Sequence, residues 1–519
     1  MSNNKKSRIL LIRPYFEILE HELVFLPFEP LGLQYIQSYL ADQGYQTKLY
    51  DCLVERPRKI KYLKDRDIFR CGSSDEDVLR IINKFKPDIV CISGMFYSQS
   101  STFYALAKIV KSVSSEIVVI GGGAFPSSYR ANTLRDCPEV DLLVVGEGEK
   151  VILDLIENLE YPERVKGVCF RDKKTKEIFC NEPPPVNMDL DSIHFPYRDF
   201  SKIYNYCKSV GYNFSPDFNL KKIIKSSLFY FCLSVPLLRM FFAKFFNFRH
   251  RKNPNALFMP YGFIVTSRGC PNCCTFCAIH KVWGSVYRMR SAENVLAEID
   301  LLIRHGVKEI IIVDDNFTVS KKRTIEICDG IVKKGYKIRL LTPSGVFIPS
   351  LDKEVLEHLY AAGLRELQFG VENGDQEFLD NVIRKNLKLE QVKKIVTCAN
   401  EIGFRTRGFF IFGYPGETRQ TMLKTFRFAF ESGMHSARFY VFQPLPGTEA
   451  YRMAQEMGAL DKNLDFSKLK MRPDSPVVET KDFTKNDVMN FFDLAYETLK
   501  KRNYEEIKDR LPDILGLES

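Results

Sequence analysis

Short apolar runs alternate with amphipathic stretches along most of the chain. Residues 8–12, 47–50, 89–93, 117–120 and 142–145 are runs of β-branched and aliphatic side chains, and a helical pattern with apolar positions three and four apart covers 31–42. Buried strands of a parallel sheet read as such continuous runs, with helices between them on both faces. The first third is therefore predicted to be a doubly wound parallel α/β sheet. The rhythm resumes after residue 260. Strands are predicted at 263–267, 309–315, 338–344, 366–372, 407–413 and 437–443, with helices at 292–304, 321–334, 353–362, 389–402 and 418–432. Six βα units predict an open, partial barrel, whose chemistry belongs at the carboxyl ends of its strands. The tail from about 461 to 519 reads as helical, notably 487–501, and is expected to cover the barrel opening.

The 519 residues suggest about three domains on a prior of roughly 150 residues each. The boundaries read as 1–190 for the first sheet, 191–255 for a linker, 256–455 for the barrel and 456–519 for the helical tail. The net charge of +10 is concentrated. Residues 218–292 contain 12 Lys and Arg and no Asp or Glu, so the remainder nets −2. A nucleic-acid binder would spread its positive charge differently, and no nucleic-acid partner is expected. Within that segment, 228–238 and 240–248 are apolar and aromatic, but Arg239 and Lys244 interrupt them and Pro236 would kink a helix. A spanning helix needs ~20 mostly apolar residues. Two readings remain: an interfacial helix pair on an anionic lipid surface, or a buried linker helix with solvated basic neighbours.

The most specific feature follows strand 263–267. Cys270, Cys274 and Cys277 stand in a Cys-x-x-x-Cys-x-x-Cys run that also contains Cys273. Two adjoining Cys-x-x-Cys pairs invite a zinc reading. Structural zinc pairs, however, are separated by a loop that lets them converge, whereas Cys273 and Cys274 are adjacent and point apart. No signal peptide is visible, and the other cysteines are scattered singly, as expected of reduced thiols in a cytoplasmic protein. The run resembles that of the radical SAM enzymes. The resemblance implies that Cys270, Cys274 and Cys277 hold three irons of a 4Fe-4S cluster, with the fourth iron open to S-adenosylmethionine (SAM), and that Cys273 is a bystander. Electron-carrying clusters commonly use four cysteines.

Later strand ends extend the resemblance. Asp314-Asp315-Asn316-Phe317 and Ser344-Gly345 end the second and third barrel strands. Glu372, in Gly370-Val371-Glu372-Asn373-Gly374, resembles the carboxylate that contacts the SAM amino or ribose groups. Gly413-Tyr414-Pro415-Gly416-Glu417 resembles the turn beside the adenine, and Phe276 would offer it backbone contacts. Each acid has a plainer reading as a helix cap or surface carboxylate. In the N-terminal sheet, Ser93-Gly94, Gly121-Gly122-Gly123 and Gly146-Glu147 end strands three to five. Singly these are tight turns. With Pro30-Leu31-Gly32-Leu33 and Tyr50-Asp51 they resemble the cobalamin-binding domain that precedes one large group of radical SAM cores. The Asp-x-His-x-x-Gly that supplies a cobalt ligand in many such domains is replaced by Arg13-Pro14-Tyr15-Phe16-Glu17-Ile18, and His21 lacks its spacing.

The resemblance implies an enzyme that cleaves SAM to a 5′-deoxyadenosyl radical, fed by a low-potential donor such as flavodoxin or ferredoxin. With cobalamin, the leading expectation is C-methylation of an unactivated carbon in a hydrophobic substrate such as a lipid or isoprenoid. Coupling or cyclisation of carbons without methyl transfer, and a cobalamin- or membrane-sensing protein, are the alternatives. The expected location is cytoplasmic, with peripheral contact at the inner face of the membrane. The catalytic acid–base residues and the substrate are not readable from the sequence.

Overall fold

A computed structural model describes residues 6–18, 28–56, 59–66, 68–202, 260–461, 464 and 476–517. The basic, apolar stretch 221–252 and His21 lie outside them.

The N-terminal sheet has seven strands. Its parallel part runs in the spatial order Leu142–Val144, Val118–Gly122, Ile89–Ser93, Arg8–Arg13 and Gln46–Asp51. Strand order reverses between Arg8–Arg13 and Ile89–Ser93, the crevice where ligands of doubly wound sheets bind. The interior is apolar throughout: Ile9, Leu10, Leu11 and Ile12 are fully buried because helices cover both faces. Two of the helices begin at side-chain caps supplied by the sequence, Asp51 and Ser74. Helix Asp75–Phe85, for example, has a capping box between Ser74 and Asp77.

Two additions were not anticipated. Val168–Arg171 and Ile178–Cys180 extend the sheet as an antiparallel hairpin. Cys169 and Cys180, opposite each other in that hairpin, are disulfide-bonded, so these two depart from the expectation of scattered reduced thiols. A small antiparallel sheet of Phe16–Ile18, Ile68–Cys71 and Ile60–Leu63 caps the first strand's end.

The second domain contains six parallel strands. Tyr261–Ile264, Glu309–Ile312 and Arg339–Leu341 form one group, and Glu366–Glu372, Arg405–Phe412 and Ser436–Val441 the other. A parallel bridge from Leu340 to Leu364 connects them into one open arc. The tail helix Lys485–Lys501 does not simply cover the opening. It lies against the last two strands, with Phe491 beside Phe412 and the Tyr496 hydroxyl donating to the Phe439 carbonyl at 3.2 Å. Val488, Phe491 and Ala495 are thereby part of the barrel core.

The domains are joined by buried charge. Arg198 in the linker pairs with Glu29 at 2.9 Å and with Glu298 at 2.8 Å. Glu29 also accepts from the Phe263 backbone N–H at 3.0 Å. Opposite charges this deep must be paired, so the contact fixes how the first barrel strand meets the N-terminal sheet.

Candidate functional site

The cysteine loop leaves the first barrel strand at Gly269. Its φ is +87°, and a Cβ there would lie 2.6 Å from the Val286 carbonyl oxygen, so only glycine fits. Thr275, between Cys274 and Cys277, anchors the loop. Its N–H donates to the Ile383 carbonyl at 3.0 Å, its carbonyl accepts from Ala450 N–H at 2.9 Å, and its hydroxyl meets that of Tyr414 at 2.5 Å. His280 bridges back, one ring nitrogen 2.7 Å from the Asn272 carbonyl and the other 3.2 Å from that of Gly284.

The four cysteines separate into two sets. Cys274 is buried and Cys270 and Cys277 are partly so, while Cys273 is exposed. Burial pushes the Cys274 thiol up to about 12 and that of Cys277 up to about 11, each feeling the charge of Cys270 and of Lys385. Asn316 Nδ2 donates to Cys270 Sγ at 2.9 Å. Thiols in so dry a setting ionise on binding metal, which replaces the proton. Among the described residues, no three His, Cys, Asp or Glu side chains lie close enough to hold one metal ion. The loop offers three soft donors, Cys270, Cys274 and Cys277, from one wall.

Around this wall stand the other strand ends. Glu372, at φ +71° beside a bulge, accepts from Lys385 Nζ at 2.8 Å. Burial disfavours the Lys385 charge, but Glu372 and then Cys274 raise its pKa above the ordinary value. Phe276 packs edge-on against Tyr414. Gly413 N–H and Tyr414 N–H donate to one oxygen of Glu417 at 2.8 and 3.0 Å, and Asn373 Nδ2 donates to the other at 2.8 Å. Glu417 thus lies beneath the turn and ties it to the end of the fourth strand. Its burial pushes the carboxyl up to about 8. Asp314 accepts from Thr266 N–H and Ser267 Oγ, both at 2.6 Å, and so fastens the first strand to the second. Asp315 is pushed up to about 7 by burial and then by Asp314.

In the N-terminal sheet, Ser93 is opposite Gly122, and Gly94 N–H donates to the Gly122 carbonyl at 2.8 Å. A Cβ on Gly123 (φ +104°) would lie 2.4 Å from the Gly94 carbonyl oxygen, and one on Gly121 would strike Leu143 and Phe103. Close packing of the fold accounts for these two glycines without any ligand. Gly122 has more room: a Cβ there would meet nothing nearer than 3.6 Å. Gly146 and Glu147 face a cavity of about 820 Å³ between the domains, whose other wall includes His280 and Lys281. Glu147 and Glu149 receive Arg268, the residue before Gly269, and Glu147 also receives Arg288.

Residues 24–156 match the B12 binding domain family and residues 264–429 the radical SAM superfamily. The chain is a radical SAM enzyme with a B12-binding domain. Cytidylyl-2-hydroxyethylphosphonate methyltransferase of Streptomyces wedmorensis is 29% identical to it over 465 residues, 88% of this chain and 83% of its own. The anaerobic magnesium-protoporphyrin IX monomethyl ester cyclase of Rubrivivax gelatinosus is 25% identical over 483 residues, 90% of this chain and 74% of its own. Among solved structures, the radical S-adenosylmethionine methyltransferase TsrM of Kitasatospora setae, with cobalamin and a 4Fe-4S cluster bound, shares the fold. Its TM-score is 0.61 at 17% identity, over 92% of this chain and 83% of that one.

For this radical SAM enzyme, the structure adds residues that the sequence did not single out. Lys385 lies in irregular chain 13 residues after Glu372 and is returned to it by the π-helical segment Leu379–Ile383 that precedes it. Arg268 was counted as basic charge, and its partners Glu147 and Glu149 lie about 120 residues away in sequence. A Gly-Glu-Gly-Glu strand end facing a buried arginine is the one signal that would have suggested the pair.

Proposed function

We propose that the enzyme methylates an unactivated carbon of a hydrophobic substrate, using a 4Fe-4S cluster, SAM and cobalamin. Cys270, Cys274 and Cys277 would hold the cluster. When bound, the cluster supplies an electron for reductive cleavage of SAM, and cobalamin supplies the methyl group. The observation that carries the reading is the separation of the cysteines: Cys274 is buried and Cys270 and Cys277 partly so, while Cys273 is exposed.

The chain's own residues bind, orient and exclude water. Gly269 and Thr275 shape the loop. The Glu372–Lys385 pair presents a carboxylate and an ammonium beside the cysteines, a match for the amino and carboxylate ends of an amino acid. Glu417 holds the Gly413–Gly416 turn against which Phe276 and Tyr414 stand, a wall suited to an adenine. Gly122, Gly146 and Glu147 would face the cobalamin when it is bound.

Likeness to the cyclase favours a second reading in which the same radical couples or cyclises carbons without methyl transfer. Incubating reduced, reconstituted enzyme with deuteromethyl-SAM and candidate apolar substrates tests the choice. A deuterated methyl group in the product supports methylation, and 5′-deoxyadenosine formed with an unmethylated, rearranged product supports the second reading. Contact with an anionic membrane surface through 221–252 belongs to the same proposal. Among the described residues, no helix is long and apolar enough to cross a membrane.

A further inference from the structure

Asn316 follows the second barrel strand, and its side chain meets a cysteine of the loop that follows the first. Its Nδ2 lies 2.9 Å from Cys270 Sγ. Among the described residues this is the one side-chain hydrogen bond on Cys270, Cys274 or Cys277. The three sulfurs are therefore not equivalent. Cys270 also receives the backbone N–H of Asn272, and Cys277 that of Ile279, although burial outweighs these bonds and raises both thiols.

The amide is held from both sides. The Asp314 carboxylate accepts from Thr266 N–H and Ser267 Oγ, both at 2.6 Å, so the strand end that carries Asn316 is fastened to the strand that leads into the cysteine loop. Tyr287 Oη donates to the Asn316 carbonyl at 3.3 Å. Phe317, only 1% exposed, is fixed beyond it, its carbonyl accepting from Arg323 Nη2 at 3.2 Å. Arg323 Nη1 in turn donates to the Thr266 carbonyl at 2.8 Å. On the loop, the Asn272 carbonyl is 2.7 Å from a ring nitrogen of His280. A support locked in this way keeps a donor at a fixed distance from its acceptor.

Chemistry decides which end of the amide faces the sulfur. A metal-bound cysteine sulfur has no proton and can only accept, so it selects the NH2 end of Asn316 and excludes the oxygen. Such a bond strengthens as its acceptor becomes more negative. Adding an electron to an iron–sulfur cluster makes its sulfurs more negative, so a donor of this kind favours the reduced state. A space-filling side chain would need neither the donor nor its aim.

We propose that Asn316 sets the reduction potential of the bound cluster by donating Nδ2–H to Cys270 Sγ, and so eases entry of the one electron that SAM cleavage needs. The proposal rests on Cys270 being a cluster ligand, as in the proposed function. The electron comes from a donor of the flavodoxin or ferredoxin class; no bond to Asn316 forms or breaks, and no proton leaves it. Asn316 is a positioning residue, since it acts through Cys270 and not on the substrate.

The test equilibrates reconstituted, cobalamin-containing wild type, Asn316→Leu and Asn316→Ala, without SAM, at one fixed ratio of oxidised to reduced methyl viologen. Low-temperature spin resonance gives the ratio of reduced to oxidised cluster, and iron content is measured on the same samples. Both variants should keep wild-type iron, because no ligand is changed. Their ratio of reduced to oxidised cluster should fall by about three- to tenfold, a tenfold fall being about 59 mV for one electron. Cys273→Ala, on the same loop, should match wild type in both measurements. An unchanged or raised ratio in Asn316→Leu and Asn316→Ala would overturn the proposal, as would an equal fall in Cys273→Ala. Loss of iron from both Asn316 variants would also overturn it, making the residue a requirement for assembly instead of a donor to a bound cluster. Cluster retained at the wild-type level by Cys270→Ala would refute both this proposal and the assignment of the three cysteines. Cluster lost from Cys270→Ala, with the ratio unchanged in the Asn316 variants, would refute this proposal alone.

Discussion

Arg268 donates to Glu147 at 2.6 Å, and its other terminal nitrogen reaches Glu149, so the residue two before Cys270 is bound to the end of the fifth N-terminal strand. Arg268, whose side chain is only 4% exposed, thus ties the cysteine loop to the B12-binding domain, alongside Arg288 and Arg198. Arg268→Met would leave Glu149 buried without a partner and Glu147 with Arg288 alone. Such a loss costs about 3–5 kcal/mol. Denaturant unfolding should show it, together with reduced retention of iron.

Glu149 makes that stability depend on pH. Burial alone would raise its carboxyl, but Arg268 holds it below the ordinary range. A carboxyl whose folded pKa is depressed contributes stability above its unfolded value and loses it as pH falls through the folded one. The stability gap between wild type and Glu149→Gln should therefore be full at neutral pH and narrow below about pH 4. Unfolding curves across pH 3 to 7 would check this, and a gap that widens in acid would contradict it.

Glu417 accepts three hydrogen bonds in a fully buried position. Glu417→Ala strands three donors, at about 1–3 kcal/mol for each left unsatisfied. Relaxation and water entry would reduce the sum. A loss of at least about 2 kcal/mol and weakened SAM binding are expected, with Glu417→Gln losing less.

Lys385→Met removes the partner of Glu372 without touching a cysteine. Iron content should persist, while SAM affinity falls by about tenfold or more as the charged pair facing the amino acid end is lost. Equilibrium binding of SAM to reconstituted protein decides it, and unchanged affinity would assign Lys385 to packing.

The membrane proposal concerns 221–252. Each large apolar side chain buried there is worth roughly 1.5–3 kcal/mol, and each nearby basic residue on the order of 1 kcal/mol on an anionic surface. Wild type should float with anionic liposomes, and changing Phe241, Phe242, Phe245 and Phe246 to Ser should release it. If folded wild-type protein stays at the bottom, the contact does not exist.

The regular elements were legible because their periods are clean. Helices 31–42, 292–304 and 389–402 appear with the boundaries read from their apolar spacing, and all five parallel strands of the first sheet stand where the aliphatic runs placed them. The small sheet at Phe16–Ile18 was missed because three- and four-residue strands carry too few alternations to register. Hairpin 168–180 was missed because its pairing is set by contact with the fifth strand. Spacing in sequence said where the cysteines were. It could not say that Lys385 returns to Glu372, or that Arg268 meets Glu147, because those contacts exist only once two strand ends or two domains are brought together. Gly121 and Gly123 show the converse, since glycines that looked like ligand contacts are demanded by the packing of the fold itself.

The central claim is that Cys270, Cys274 and Cys277 hold a cluster that cleaves SAM and that Cys273 takes no part. Its most direct test is iron content together with 5′-deoxyadenosine release, measured on anaerobically reconstituted single Cys→Ala variants after reduction. The account predicts that Cys270→Ala, Cys274→Ala and Cys277→Ala each lose cluster and product, while Cys273→Ala matches wild type in both. Loss of iron and product in Cys273→Ala, with either retained in one of the other three, would contradict it.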